Sequence, residues 1–468
     1  PGDDAIPVLI LDHHSHGHGG SLTLAVSMIS QKLVKVLQDG FNPTRIRGRC
    51  QIDRFAGQKN STHFVRRVSG KVSTTARVIS LSRGYINAAL SAGEQRALEH
   101  YLGARLLRPA TIVPPPRADL AAVVTVPCYD EPDISSTLAS LDACTLPDDR
   151  SVEVIVLVNV PQDGSVSVRE RNEAASAAVR AFTFANPRLR CFAIVDNALP
   201  RRRAGVGLAR KLAMDEALLR LVAASRPNGI IMGLDADCTC DNNYLQSISQ
   251  SFDSEPIAGA SVYFEHPLTA MTADAITHYE SYLRYYRLGL RYAGSAHAFH
   301  TVGSSMCVRA IDYARLGGMN RRQAGEDFYF LQKFMDTERF GQITGTCVRP
   351  AARLSARVPF GTGAAITAAL NEDKQVPFYA PDVFDELRTF FASIDSMWQA
   401  LDETLAELPE RLRWFLIQQD FARAEAQIRA NVAGAHAYAR HLRTWMNGFR
   451  CMKFARYWGE TWGFVPPA

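Results

Sequence analysis

From residue 119 onward the chain repeats one pattern, a short aliphatic run followed by apolar residues at helical spacing, about every thirty to forty residues. Leu120-Ala-Ala-Val-Val-Thr-Val126 ends at Pro127, and Asp133 then stands as N-cap to a helix over Ile134–Ala143. Val152–Val158, Leu189–Val195 and Gly229–Leu234 read as three further strands, alternating with helices near 168–184 and 207–223. Runs this apolar are buried on both faces, as in a parallel sheet. Alternation of this kind predicts βαβ units with right-handed crossovers, hence a doubly wound α/β layer.

The flanks differ. Residues 1–118 hold 16 Lys and Arg against seven Asp and Glu, a net charge of +9, whereas the remaining 350 residues carry −4. Ten basic residues and the single acid Asp53 lie between Arg45 and Arg83, among Ser, Thr, Gly and Asn. Such a run suits either an anionic surface or a solvated arm. Sparse aromatics argue against nucleic acid. His13, His14, His16 and His18 sit in a Gly/Ser-rich stretch and read as a polar tract. Beyond Asp385 helical periodicity prevails, and all five Trp fall there, as core or docking anchors. The expected organisation is a basic arm over 1–118, the α/β domain over 119–368 and a helical appendage over 369–468.

No stretch reaches the roughly 18 apolar residues of a membrane span. The run Leu22–Ile29 lacks a basic flank, so no signal peptide is expected. Nine Cys with no framework spacing favour a reducing, cytoplasmic setting.

Ligands of an open parallel sheet bind beyond the carboxyl ends of its strands. The residues there are Pro127-Cys-Tyr-Asp-Glu-Pro132, Asn159-Val-Pro161, Asp196-Asn197 and Asp235-Ala-Asp237. Three of the four ends carry an acid. Two carboxylates one residue apart can share one hard divalent cation and leave positions open for phosphate oxygens. Further on, Glu326-Asp327 opens an apolar-periodic helix, as a dipole partner or as a general base. The segment Asp274–Tyr292 packs five Tyr and three Arg into one helix, either an acceptor wall or a core stripe with a basic outer face.

Over roughly residues 120–345 this ordered set resembles the family 2 glycosyltransferases, inverting enzymes of the GT-A fold. Val123-Val-Thr-Val-Pro-Cys-Tyr-Asp-Glu131 looks like the family's opening strand and nucleotide loop. Gly205-Val-Gly-Leu-Ala-Arg210 looks like its donor-facing helix, and Asp235-Ala-Asp237 like its metal-binding Asp-x-Asp. Gly303 through Arg309, Gly317-Gly318 and Glu326-Asp327 look like its acceptor-side segment. The fold then implied is a GT-A layer, a Rossmann-like, mostly parallel α/β sheet, with an N-terminal arm and a helical appendage. Also implied are a nucleoside-diphosphate sugar contacted by Pro127, Tyr129, Glu131, Asn159, Arg210, Asp235 and Asp237, and Mn2+ or Mg2+ on Asp237 and Asp235. Asp327, with Glu326 beside it, would take the proton of an acceptor hydroxyl on a glycan, a lipid-linked chain or a small molecule.

Two departures stand out. The second strand runs into Val158-Asn-Val-Pro161 where the family has Asp-Asp-Gly-Ser, so a uridine donor is only the default expectation. The Gln-x-x-Arg-Trp motif of processive synthases is missing, which implies a non-processive enzyme, with the basic arm as its candidate contact to a membrane surface. Two rival readings are a nucleotide-sugar-binding scaffold without turnover and a haloacid-dehalogenase-type phosphatase, whose Asp-x-Asp-x-Thr Asp235–Thr239 also matches.

Overall fold

The computed structural model of the protein describes residues 90–199, 204–353, 361–372 and 375–465. The histidine tract, the run Arg45–Arg83 and Arg357 lie outside the described residues. Two compact units divide the chain between residues 68 and 69, and everything below belongs to the second.

The α/β portion runs α1 (Ala92–Ala104), β1 (Leu120–Cys128), α2 (Ile134–Asp142), β2 (Ser151–Pro161), α3 (Val166–Ala181), β3 (Leu189–Leu199) and α4 (Val206–Ala223). It continues with β4 (Ile230–Gly233), β5 (Cys238–Cys240), α5 (Tyr244–Ser254), β6 (Gly259–Phe264), α6 (Ala273–Tyr292), β7 (Met306–Arg309), α7 (Ala310–Arg315), α8 (Glu326–Met335) and β8 (Phe340–Pro350). Seven helices follow: α9 (Thr362–Glu372), α10 (Pro381–Met397), α11 (Leu401–Glu407), α12 (Glu410–Gln418), α13 (Phe421–Ala430), α14 (Ala435–Trp445) and α15 (Gly448–Trp462).

The strands form one mixed sheet in the order β3-β2-β1-β4-β7-β6-β8-β5. β1 pairs parallel with β2 and β4, and β2 with β3, so four carboxyl ends share one rim. β7 is antiparallel to β4, which brings the amino end of β7 to that rim. The sequence-predicted strands all form, and β2 extends three residues further than expected, so Asn159 lies inside the strand, opposite Asp196 of β3. Asp133 caps α2 through the Ser136 N–H, and Ser165 caps α3.

Both sheet faces are covered, as the apolar runs require. Val124, Val154 and Met232 pack toward one side with Leu138 and Ile248. Val123, Ile155 and Ile231 pack toward the other against α4. α4 is buried nearly all round, including its charged residues. Each of these is compensated: Arg220 reaches Glu153 at 2.6 Å, Lys211 reaches Asp215 at 2.8 Å, and Glu216 accepts from the Thr111 and Ile112 N–H groups.

Part of the segment before residue 119 packs against this layer. Tyr101 of α1 is fully buried, donates to Asp215 at 2.6 Å and meets Tyr313 edge to face. Segment 92–118 thus packs on the α/β layer: Tyr101 joins Lys211 and Tyr313 around Asp215, and the Thr111 and Ile112 N–H groups hold Glu216.

The helical tail has its own core, built from Phe384, Phe390, Phe415, Tyr438 and Phe454. Tyr282, Tyr285 and Tyr286 of α6 pack against it, so the aromatic stripe of α6 serves mainly as core. Of the tryptophans, Trp458 is buried, Trp398 and Trp445 are half-buried, and Trp414 and Trp462 are exposed. Among the described residues no helix is long and apolar enough to cross a membrane.

Candidate functional site

The site forms at the shared rim around a single guanidinium. Arg210 lies in the second turn of α4 and is buried. Its Nε donates to Glu326 Oε1 at 2.9 Å, Nη1 to the Gly303 carbonyl at 3.0 Å, and Nη2 to Asp235 Oδ1 at 2.6 Å. One fork thus ties the end of β4, the loop before β7 and the start of α8. Gly303 has no room for a side chain, since a Cβ there would fall 2.4 Å from Arg210 Nη2.

Asp327 is fixed from two sides. Its Oδ2 accepts from the Gly303 N–H at 3.0 Å and its Oδ1 from the Phe328 N–H at 2.7 Å. Gly325, at φ +68°, turns the chain into α8 so that Glu326 and Asp327 fall in its first turn. Burial pushes the Asp327 carboxyl above its ordinary value, with Arg210 opposing. Tyr279 of α6 faces this acid; burial and then the Asp327 charge push its phenol up to about 12.

Glu326 is pushed up to about 7, chiefly by burial, against the pull of Arg210. An acid with a raised folded pKa favours the fold when protonated, so its contribution is full below about 4.5 and is lost as pH rises toward 7. Glu326→Gln is therefore expected to flatten the dependence of the thermal midpoint on pH between 5 and 8. A profile as steep as the wild type's would assign the dependence elsewhere.

Asp237 is raised as well, by burial and then by Asp235. Its Oδ1 meets only the Cys238 thiol, at 3.6 Å, and among the described residues it makes no ion pair. Two neighbouring carboxylates, one held by Arg210 and one outside any ion pair among the described residues, suit a hard divalent cation. No cluster of three or more His, Cys, Asp or Glu side chains gathers anywhere among the described residues, so protein donors beyond this pair are not in place.

The remaining sequence-predicted residues line the same rim in different states. Pro127 is half-buried at the end of β1, and Tyr129 is exposed just beyond it. Glu131 is buried and engaged by Arg353 through two 2.9 Å contacts, while also accepting from the Asp133 N–H. Asn159 is 5% exposed and its carbonyl accepts from Asn172 Nδ2, which leaves it little surface for a base edge. Arg349 is spent on Asp241 at 2.5 Å and on Glu265.

Sequence reasoning missed the role of Gly303, whose N–H and C=O serve opposite sides of the site. Its only signals were its place at the head of the segment resembling the family's acceptor side and its position three residues before a strand. The Glu131–Arg353 pair spans 222 residues and had none.

No family model and no curated protein matches the chain. Among solved structures, residues 1–349 of TarS from S. aureus in complex with UDP-GlcNAc align with a TM-score of 0.35 and 13% identity, over 69% of this chain and 90% of that one. A mannosyltransferase from Pyrobaculum calidifontis in complex with GDP-Man and Mn2+ aligns at 0.34 and 16%, over 80% and 98%.

Proposed function

We propose that this chain is an inverting, non-processive glycosyltransferase of the GT-A kind, which moves a sugar from a nucleoside diphosphate to an acceptor hydroxyl. The observation that carries this reading is the Arg210 fork. It draws Asp235, Glu326 and the Gly303–Asp327 contact to the rim where ligands of parallel sheets bind.

In this reading Asp327 is the general base. Two backbone N–H groups aim its carboxylate, and partial desolvation makes it more basic than a surface aspartate. It accepts the acceptor hydroxyl proton as the oxygen attacks the anomeric carbon from the face opposite the diphosphate, and one displacement inverts the configuration. Arg210 holds Asp235 and Glu326 in place while this happens. Asp237 and Asp235 would hold Mn2+ or Mg2+, which when bound supplies Lewis-acid neutralisation of the leaving diphosphate. The nucleotide would lie along the rim at Pro127, Tyr129 and Glu131, with Asn159 in the buried wall behind it and a uridine base favoured. The acceptor is a glycan, a lipid-linked chain or a small molecule rather than nucleic acid. The chain works in the cytoplasm, with its basic N-terminal arm as the membrane contact.

A panel of nucleoside diphosphates with Mn2+ tests the donor site by thermal shift, since a ligand that binds only the folded state raises the midpoint. At 100 times the dissociation constant the stabilisation is about 2.7 kcal/mol. The metal-dependent part of the shift is expected to vanish in Asp237→Asn. No shift with any diphosphate would sink the reading. A shift without turnover of any nucleotide sugar would favour the scaffold alternative. Release of phosphate from simple esters would favour the phosphatase, which would need Asp235 free as nucleophile rather than bound to Arg210.

A further inference from the structure

The helical tail touches the mouth of the site through Phe449, at the start of α15. Its ring packs on Phe328 at 6.5 Å and on Tyr329 at 5.9 Å, the two residues that follow Asp327 on α8. All three rings are half-buried. Each flank carries an exposed cation laid on a ring: the Arg322 guanidinium lies 3.9 Å over Tyr329, and the Lys453 ammonium 4.7 Å over Phe449. Among the described residues neither cation forms an ion pair with a carboxylate, unlike Arg349 and Arg353.

The Arg322 backbone is fixed beside the site. A Cβ at Gly207, in the first turn of α4, would come within 2.2 Å of the Arg322 carbonyl oxygen and 3.0 Å of Glu326 Cβ. The Arg322 N–H donates to Asn320 at 3.1 Å. Two cations from distant parts of the chain thus flank the helix end that bears Asp327. Stacking on a ring limits each side chain's freedom and leaves its N–H donors facing outward. A charge-assisted contact from such a donor is stronger than a neutral one.

We propose that Arg322 and Lys453, staged on Tyr329 and Phe449, form an acceptor subsite that grips an anionic group, phosphate or carboxylate, on the glycan to be extended. This rests on the transferase reading, and it makes the helical tail part of substrate selection. The aromatic cluster offers the sugar an apolar wall, and the cations hold the chain with its free hydroxyl toward Asp327.

The test compares the full chain with the R322A/K453A double variant, using saturation-transfer NMR titrations of galacturonic acid trimer, trehalose 6-phosphate and maltotriose. At least one anionic probe is expected to bind the wild type about tenfold more tightly than maltotriose, and the double variant is expected to lose that margin. Which anionic probe responds tells carboxylate from phosphate. F449A, which removes the ring beneath Lys453, should lose part of the margin. A wild type with no preference for either anionic probe, or a double variant that keeps it, overturns the proposal. The nucleoside-diphosphate thermal shift is recorded on both proteins. If it is absent from both while the margin is still lost, the donor reading fails and the anion subsite stands. If it is present in both and the margin is unmoved, the subsite alone fails.

Discussion

Asp327→Asn is expected to slow sugar transfer by about 10²–10⁴, the usual worth of a positioned general base, and to leave nucleoside-diphosphate binding near the wild-type level. The amide is isosteric and keeps one oxygen for one of the two backbone N–H groups that aim Asp327. The other N–H then faces an NH2 donor and is left unsatisfied, a cost of about 1–3 kcal/mol, which the thermal midpoint reads separately from turnover. Lost turnover together with a retained nucleotide shift therefore isolates proton transfer. Initial rates at saturating donor and acceptor, beside the thermal midpoint, decide the matter. Near-normal turnover would remove Asp327 from the chemistry.

Arg210→Ala is expected to have the largest effect on stability. It strips the partner from Glu326, from Asp235 and from the Gly303 carbonyl at one stroke. Breaking a buried charge pair by removing one member commonly costs about 3–5 kcal/mol, because the other is left uncompensated. The loss has a sign in pH. Without the guanidinium Glu326 holds its proton still more tightly, so the variant should lie closest to the wild type near pH 5 and fall furthest below it at pH 8. Arg210→Lys should recover only part, since a single ammonium cannot span three acceptors on different elements. An unchanged thermal midpoint in Arg210→Ala would mean that the fork does not hold the rim together.

Much of the rim was legible beforehand because its residues are anchored by local rules. Asp235 and Asp237 follow an apolar run that can only be a buried strand, and Glu326 and Asp327 open a helix whose periodicity is plain. Asp133 was recognisable as a cap from its place before that periodicity. What stayed hidden depended on contacts between residues far apart in the chain. Tyr101 lay in the stretch read as a basic arm, yet its side chain is fully buried and its hydroxyl joins Lys211 and Tyr313 on Asp215, a residue 114 positions away. The tyrosines of α6 left two readings open, and packing of the tail against Tyr282, Tyr285 and Tyr286 decided for core. Glu131 was read as a donor contact, and its engagement with Arg353 emerged only from the folded rim.

By itself the sequence determined the alternation of strand and helix, the rim at which acids collect, and the helical character of the tail, because period, capping and β-branched runs act within a few residues. The tertiary structure alone decided which acids share the Arg210 guanidinium, that Gly303 serves both sides of the site, and that Phe449 brings the tail to Phe328 and Tyr329. Those outcomes depend on the sheet order, which sets strands distant in sequence side by side. Burial then makes most charges drawn in find a partner, and no local pattern records which one.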